Sequence, residues 1–214
     1  MTQPLTQPMT QPLTAPLAPP RAPGLAPDLA PGGWNRGRVG MACLIFGEST
    51  FFSVFVVAYL FYIGKSGSGP QPSDVLEFPL FATLCLLSSS ATAGLAVKAL
   101  AQGNAARAGV ALALTVGLGA GFLGATANEW FGLIYGHGLT IGTNLFGTTF
   151  YSLVGFHAAH VALGLLMLSL VLSGVLAGKL GPEHSERVEM VTWYWHFVDA
   201  VWIVVLTTVY VVGV

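Results

Sequence analysis

The sequence predicts an all-α integral membrane protein: a bundle of five transmembrane helices preceded by a proline-rich N-terminal tail that is extended or disordered. Two features of composition and one of organisation predict this fold. Hydrophobic residues make up 54% of the 214 residues, whereas charged residues make up only 8%. Since soluble domains carry about a quarter charged residues, this chain has too few charges to cover a globular surface in water. The third feature is a series of five long apolar segments.

The composition also excludes several classes of function. A soluble enzyme, a disordered regulator and a disulfide-stapled secreted domain are all excluded by the apolar bulk. The 8 Lys and Arg residues are scattered and give, with 9 Asp and Glu, a net charge of -1, so there is no basic patch and no nucleic-acid partner is expected. Cys43 and Cys85 lie in apolar segments without a CxxC motif, which indicates small buried hydrophobes and no thiolate metal site.

Residues 1–34 form the first predicted domain, a tail on the cytoplasmic side. Nine of the 13 prolines lie in this segment, many with a four-residue period that begins Thr2-Gln3-Pro4-Leu5. Proline at this density removes backbone donors and clashes with helix, so the tail should be extended, polyproline-II-like or disordered. Two interpretations stay open: a solvated tail, or an arm that lies along a partner subunit.

Residues 35–214 form the second predicted domain, which crosses the membrane five times. A helix needs roughly 17 to 25 apolar residues to cross a hydrocarbon core of about 30 Å. The predicted spans are about residues 38–63, 76–100, 107–135, 148–177 and 188–213. Glycine-containing turn segments separate them, and backbone groups in lipid must be paired within their own segment, so each span should be a helix.

The distribution of cations predicts the orientation of the chain. With five spans, seven of the eight Lys and Arg residues lie on the side of the N-terminus, and only Lys65 lies on the other side. Because positive charges accumulate on the cytoplasmic side, the N-terminus is predicted to be cytoplasmic and the C-terminus periplasmic or external.

Six ionisable side chains fall inside the predicted spans, where a charge costs about 2.5 to 3.5 kcal/mol on insertion scales. They are Glu48, Glu129, His157, His160, His196 and Asp199. Each is therefore expected to face protein, water or a partner.

The first and fourth spans carry the most informative of these residues. Glu48 admits two interpretations: a proton-carrying or lipid-facing reactive acid, or a structural acid hydrogen-bonded to a neighbouring helix. In either case we expect it to be buried against another helix, within reach of a histidine of the fourth span. His157 and His160 share a helix face at positions i and i+3. They admit hydrogen bonding to Glu48 or Glu129, contact with lipid headgroups, or metal binding, which the lack of further ligands at suitable spacing disfavours.

The fifth span places His196 and Asp199 three residues apart, so they could satisfy each other or hold a cation from a partner helix. No nucleophile constellation is present, and the glycines of residues 117–121 favour close helix packing. Two function classes therefore remain: an accessory subunit of a larger membrane complex, or a small transporter or channel. The lack of a convincing internal repeat favours the accessory subunit.

Four segments resemble motifs of haem–copper oxidase (cytochrome c oxidase) subunit III. They are Glu48–Phe52, similar to (S)-E-x-M-F-F; Ala127–Trp130, similar to Q-A-x-E-(Y/W); Gly147–Tyr151 with Gly155–Val161, similar to G-S-x-F-(Y/F)…G-F-H-G-x-H-V; and Tyr194–Trp202, similar to Y-W-H-F-V-D-x-V-W. They occur in order on four of the five spans. The resemblance covers roughly residues 38–214.

The resemblance implies the short, five-helix bacterial type of subunit III in the bacterial cytoplasmic (inner) membrane. Such a subunit holds no haem or copper, so it implies no cofactor, metal ligand or catalytic residue in this chain, although the complex is an oxidoreductase. It implies direct packing on catalytic subunit I, with subunit II in the same complex, and support of proton uptake during reduction of oxygen to water. It also implies bound phospholipids, which we expect between the first two spans and the last three.

The resemblance further implies roles for individual residues. Glu48 matches the family's membrane-embedded, carbodiimide-reactive glutamate, and Glu129 and Asp199 match other buried polar positions. Contacts with lipid or between helices are expected for His157, His160, His196, Trp195 and Trp202. Quinol-oxidising relatives share the motifs, so the electron donor stays open between cytochrome c and quinol. A quinol:cytochrome c reductase complex in a supercomplex is a further candidate partner.

Overall fold

The computed structural model describes residues 36–214, so the predicted tail lies outside the described residues. Within that range the regular structure is entirely helical. Five helices are long and apolar enough to cross a membrane. The predicted fold class, an all-α bundle of five membrane-spanning helices, is therefore confirmed for the described part of the chain.

We number the spanning helices α1 to α5. They are α1 Arg36–Tyr62, α2 Leu80–Ala101, α3 Ala105–His137, α4 Leu145–Leu176 and α5 Ser185–Leu206. After α5 the chain continues in a π-helical segment, Thr207–Val212. A one-turn helix, Pro72–Val75, lies in the connection between α1 and α2, and a 3-10 turn, Pro182–His184, precedes α5.

Local sequence explains where the helices begin. α2 begins at Leu80, four residues later than expected, because Pro79 disfavours helical backbone in the residue before it. α3 and α4 begin two and three residues earlier than expected because asparagines cap them. The side chains of Asn104 and Asn144 accept hydrogen bonds from the backbone N–H groups of Arg107 at 3.0 Å and Gly147 at 2.8 Å.

The packing of the helices differs from one expectation. α2 packs extensively on α3 and also contacts α5, whereas α1 packs on α4 and α5. The first two spans therefore do not stand apart from the last three, and the expected position of a phospholipid cleft between those two groups was wrong. Ala93, Ala96 and Ala108 are fully buried, and such small side chains let the backbones of α2 and α3 approach closely.

Trp195 of α5 lies at the centre of the bundle and is fully buried. Two glycines make room for its indole ring. A Cβ atom at Gly119 of α3 would lie 2.8 Å from the ring, and one at Gly164 of α4 would also lie 2.8 Å from it. The close helix packing predicted for residues 117–121 is thus present at Gly119, which faces the ring.

Gly119→Ala should destabilise the protein, whereas Gly117→Ala, two residues away, should not. The added methyl group at residue 119 meets the rigid indole, and overpacking of this kind typically costs about 1 to 3 kcal/mol. At residue 117 a Cβ atom meets nothing within 4 Å. Thermal unfolding followed by circular dichroism in detergent would compare the two variants. Equal melting temperatures for both would contradict this account of the core.

Candidate functional site

Glu48 and His160 meet near the midpoints of α1 and α4. The Oε2 atom of Glu48 lies 3.2 Å from Nε2 of His160, which confirms the predicted contact with a histidine of the fourth span. The side chain of Glu48 is 32% exposed and that of His160 is 12% exposed. Glu48 is therefore only partly buried, so it faces both a neighbouring helix and the surroundings of the bundle.

The geometry of this pair limits its hydrogen-bonding arrangements to two. Nδ1 of His160 lies 2.8 Å from the backbone carbonyl oxygen of Phe156. A carbonyl only accepts, so Nδ1 carries a hydrogen. Nε2 then either accepts a hydrogen bond from a protonated Glu48 or, in an imidazolium ring, donates one to a carboxylate. Both arrangements share one proton and have zero net charge, which avoids an uncompensated charge at membrane depth.

Aromatic rings pack around His160. The rings of Phe52 and Phe156 lie 4.9 and 4.5 Å from the ring of His160, measured between centroids. Phe55 stacks on Phe156 at 5.2 Å. These rings enclose the imidazole side of the pair, whereas the carboxyl side chain of Glu48 stays 32% exposed.

His157 lies one turn before His160 but faces the interior of the bundle. It is fully buried, and neither ring nitrogen has a hydrogen-bond partner among the described residues. The hydrogen bond to Glu48 or Glu129 that we considered is therefore wrong for His157. Its ring stacks on Trp202 with centroids 5.2 Å apart and meets the edge of Phe122 at 5.7 Å.

The two tryptophans of α5 make contacts between helices. The indole N–H of Trp195 donates to the hydroxyl of Ser89 at 2.9 Å, and that of Trp202 donates to the hydroxyl of Thr83 at 3.2 Å. Both acceptors belong to α2. These bonds hold α2 and α5 in one register, because a buried indole N–H without an acceptor would be costly.

His196 and Asp199 do not interact with each other as one interpretation proposed. His196 is exposed on the outside of α5, and its Nδ1 atom lies 2.5 Å from the hydroxyl of Ser90 on α2. Asp199 is only 4% exposed, and neither carboxyl oxygen has a hydrogen-bond partner within residues 36–214. His196 therefore presents its polar ring to the outside of the bundle, whereas the carboxyl group of Asp199 is buried inside it.

Glu129 lies towards the C-terminal end of α3 and accepts a hydrogen bond from the hydroxyl of Tyr210 at 2.8 Å. Tyr210 belongs to the π-helical segment after α5, so this bond ties the end of the chain to α3. An open cavity of about 510 Å³ adjoins Glu129 and is also lined by Asn128, Glu77 and His137. Most of its other lining residues, including Phe81, are apolar.

The described residues contain no group of three or more His, Cys, Asp or Glu side chains placed to hold a metal ion. His157 and His160 face different neighbours, one the interior and one α1, so they do not converge on a common point.

Several functional contacts were not anticipated from sequence. The hydroxyls of Thr83, Ser89 and Ser90 on α2 receive the polar groups of α5, and Tyr210 bonds Glu129. The run Ser88-Ser89-Ser90 in the middle of an apolar span was a usable signal, because polar side chains at that depth need partners. Tyr210 carried no such signal, since a tyrosine near the end of a span is commonly an interfacial residue.

Comparison with known proteins identifies the family. The sequence profile described as "Cytochrome c oxidase subunit III" matches residues 35–214. The chain is 33% identical over 170 residues to cytochrome c oxidase subunit 3 of Alkalihalophilus pseudofirmus, covering 78% of this chain and 82% of that protein. It is 36% identical over 165 residues to cytochrome bo(3) ubiquinol oxidase subunit 3 of Pseudomonas aeruginosa, covering 76% and 78%. A cytochrome c oxidase subunit 3 from Corynebacterium diphtheriae is 39% identical over 147 residues, covering 68% and 71%.

The chain belongs to the cytochrome c oxidase subunit III family. Subunit III of these haem–copper oxidases is a non-catalytic subunit. As part of an oxidase complex, this subunit III has other oxidase subunits as partners, and it is a multi-pass membrane protein. Its relatives include both cytochrome c oxidase and quinol oxidase subunits.

A double-mutant cycle should detect the contact between Glu48 and His160. We expect Glu48→Leu and His160→Phe to be non-additive by about 0.6 to 1.7 kcal/mol, the mean and the maximum measured for hydrogen bonds between membrane helices. The measurement is the free energy of unfolding in mixed micelles containing sodium dodecyl sulfate.

Ser49→Ala combined with His160→Phe provides a matched control. The hydroxyl of Ser49 donates to the carbonyl of Ile45 in its own helix at 2.7 Å, so this pair should be additive. A coupling energy near zero for both pairs would show that the carboxyl and the imidazole do not interact.

Proposed function

We propose that this chain is the non-redox subunit III of a terminal haem–copper oxidase in the aerobic respiratory chain. In this role it stabilises catalytic subunit I, binds phospholipid and supports proton uptake during the reduction of oxygen to water. The observation that carries the proposal is the family match, which extends over residues 35–214 and therefore includes every described helix. The electron donor is cytochrome c or, as in the quinol-oxidising relatives, a quinol.

Support for proton uptake comes from the pair formed by Glu48 and His160. It places a carboxyl and an imidazole, two groups that can carry protons, within hydrogen-bond distance at the middle of α1 and α4. Because Glu48 is partly exposed while His160 is nearly enclosed, a proton can exchange at the carboxyl without opening the bundle. A residue with this arrangement can accept and release protons at membrane depth, which suits a proton-supplying accessory subunit.

Support for a direct contact with subunit I comes from the outer face formed by Ser90 and His196. His196 lies close to the middle of the fifth span, and Ser90 lies at the midpoint of α2. The serine engages Nδ1, the residue is exposed, and Nε2 has no hydrogen-bond partner in the described part of the chain. An unpaired polar group facing hydrocarbon is costly, and a polar side chain on a neighbouring protein helix would satisfy it.

The surface around His196 also suits a protein neighbour. Ala200, one turn further along α5, is exposed, and a Cβ atom at Gly94 of α2 would meet nothing within 4 Å. Small residues beside a polar group allow two membrane helices to approach closely enough to bond. We therefore assign the face of Ser90, Gly94, His196 and Ala200 to the contact with subunit I.

The proposed orientation in the membrane rests on the distribution of Lys and Arg, and the further partners rest on the family. The excess of Lys and Arg on one side supports a cytoplasmic N-terminus in the bacterial inner membrane, with a periplasmic C-terminus. Subunit II of the complex is a further partner, and so is a quinol:cytochrome c reductase complex wherever a supercomplex forms.

Glu48→Gln should slow proton uptake by the oxidase or shorten its working lifetime, while the haem spectra stay unchanged. The amide can keep a hydrogen bond to His160 but cannot release a proton at neutral pH. Proton uptake by the purified complex in vesicles, followed over repeated turnovers, measures this effect. Ser49→Ala is the control, and it should behave as the unmodified complex does. Altered haem spectra in Glu48→Gln would contradict a role restricted to protons.

His196→Phe should weaken retention of the haem-bearing subunit when the tagged chain is purified in mild detergent. The expected loss is roughly threefold to tenfold in the equilibrium of association, which corresponds to one hydrogen bond between membrane helices. His196→Gln should restore part of it, because its amide can still bond a polar neighbour. Leu163→Phe, at an exposed position of α4, is the control.

Two results would contradict this assignment. Equal retention by all three variants would remove His196 from the interface. Purification of the unmodified chain as a homo-oligomer, free of any haem-bearing subunit, would contradict the oxidase proposal itself and favour a small transporter.

A further inference from the structure

We infer that the groove between the cytoplasmic-side end of α2 and the beginning of α3 binds an anionic phospholipid. This inference rests on the phospholipid binding proposed above and gives it a location and a headgroup class. The groove has a volume of about 580 Å³. Its apolar wall consists mainly of Leu95, Val110 and Leu114, and its polar end contains Lys98 and Arg107.

The polar end of the groove carries positive charge that nothing in the described structure neutralises. Lys98 lies in the last turn of α2, and Arg107 is the third residue of α3. No carboxylate lines the groove, and neither cation forms an ion pair with any residue in the range 36–214. A phosphate placed between them would bind an ammonium group and a guanidinium fork, which is suited to two-point contact with phosphate oxygens.

The beginning of α3 adds to this positive potential. Ala106, in the first turn of α3, also lines the groove. Asn104 caps the backbone N–H of Arg107, and the N-terminal end of the helix also carries a partial positive charge, so an anion is favoured there. Helix end and side chains therefore attract the same kind of ligand.

The wall of the groove distinguishes a lipid from a free anion. Leu95, Val110 and Leu114 are each more than half exposed. From Arg107 to Leu114 the wall extends about 10 Å along α3, at 1.5 Å per residue, away from the membrane surface. Inorganic phosphate would leave this wall unused, whereas an acyl chain attached to the phosphate would lie along it.

The deep end of the groove offers no polar group that needs a ligand. The hydroxyl of Thr92 bonds the hydroxyl of Thr115 at 2.8 Å and the carbonyl of Ser89 at 2.9 Å. Polarity is thus confined to the end beside Lys98 and Arg107. The groove therefore has the polarity of one anionic headgroup followed by hydrocarbon.

The test measures which lipids remain bound to the purified oxidase complex. The complex is exchanged into detergent micelles that contain equal amounts of phosphatidylglycerol and phosphatidylethanolamine, and retained lipids are quantified by mass spectrometry. We expect the double variant K98Q/R107Q to lower the ratio of phosphatidylglycerol to phosphatidylethanolamine by roughly fivefold for each lost cation. The double variant K179Q/R187Q removes two charges from the connection between α4 and α5 and the first turn of α5, and it should leave the ratio unchanged.

A second variant tests the apolar wall. Val110→Trp fills the groove from an exposed position, so it should reduce bound phosphatidylglycerol without unfolding the subunit. A ratio that is the same in K98Q/R107Q and the unmodified complex would overturn the inference. Displacement of the lipid by inorganic phosphate alone, or loss of a partner polypeptide in place of lipid from K98Q/R107Q, would also overturn it.

The same preparations separate this inference from the proposed function. If every variant retained the same lipids, the groove would be rejected as the binding site, but the proposal that the subunit binds phospholipid would stand. An unmodified complex that retains no phospholipid would reject both. Retention of the haem-bearing subunit, measured in parallel, reports on the oxidase assignment independently of either result.

Discussion

The arrangement of this subunit depends on one constraint: a polar group at hydrocarbon depth must find its partner within protein. Apolar side chains do not select neighbours in a membrane, because lipid tails are as apolar as they are. The directional contacts therefore determine which helices adjoin. Glu48 and His160 connect α1 to α4, the two indole N–H groups connect α5 to α2, and Tyr210 connects the end of the chain to α3.

These hydrogen bonds form only where the packing of the helices leaves room for the side chains that make them. The N–H group of Trp195 reaches Ser89 because Gly119 and Gly164 leave room for the indole. A methyl group at either glycine would move the ring and lengthen its hydrogen bond. Packing and polarity are thus coupled at this position, and neither the glycines nor the serine can be assigned a separate contribution to stability. The same ring consequently fixes α2, α3 and α4 relative to α5.

The sequence predicted the features that depend on one segment at a time. The number of spans follows from local hydropathy, and the need of Glu48 for a partner follows from its depth. Features that depend on how two helices pack together were harder to predict from the sequence. His157 and His160 are neighbours in sequence, yet residues three apart differ by about 60° around a helix, enough for one to face the core and the other α1. His196 and Asp199 differ for the same reason. Serine and threonine hydroxyls can bond their own helix, so the run Ser88-Ser89-Ser90 indicates polarity at that depth but does not predict which helix contacts it.

The groups left unpaired differ in what they require. His157 is fully buried and packs against the rings of Trp202, Phe122 and Phe52, so it presents no polar group to the outside of the bundle. His196 is on the outside, where a neighbour can complete it. Lys98 and Arg107 are also outside, but beside an apolar wall at the end of the spans. A helix partner needs a polar contact at mid-depth and a flat surface of small residues, whereas a lipid needs a charge at the interface and an apolar groove below it. By this criterion the proposals above assign two different neighbours to the outer surface of α2: protein on the side towards α5 and lipid on the side towards α3.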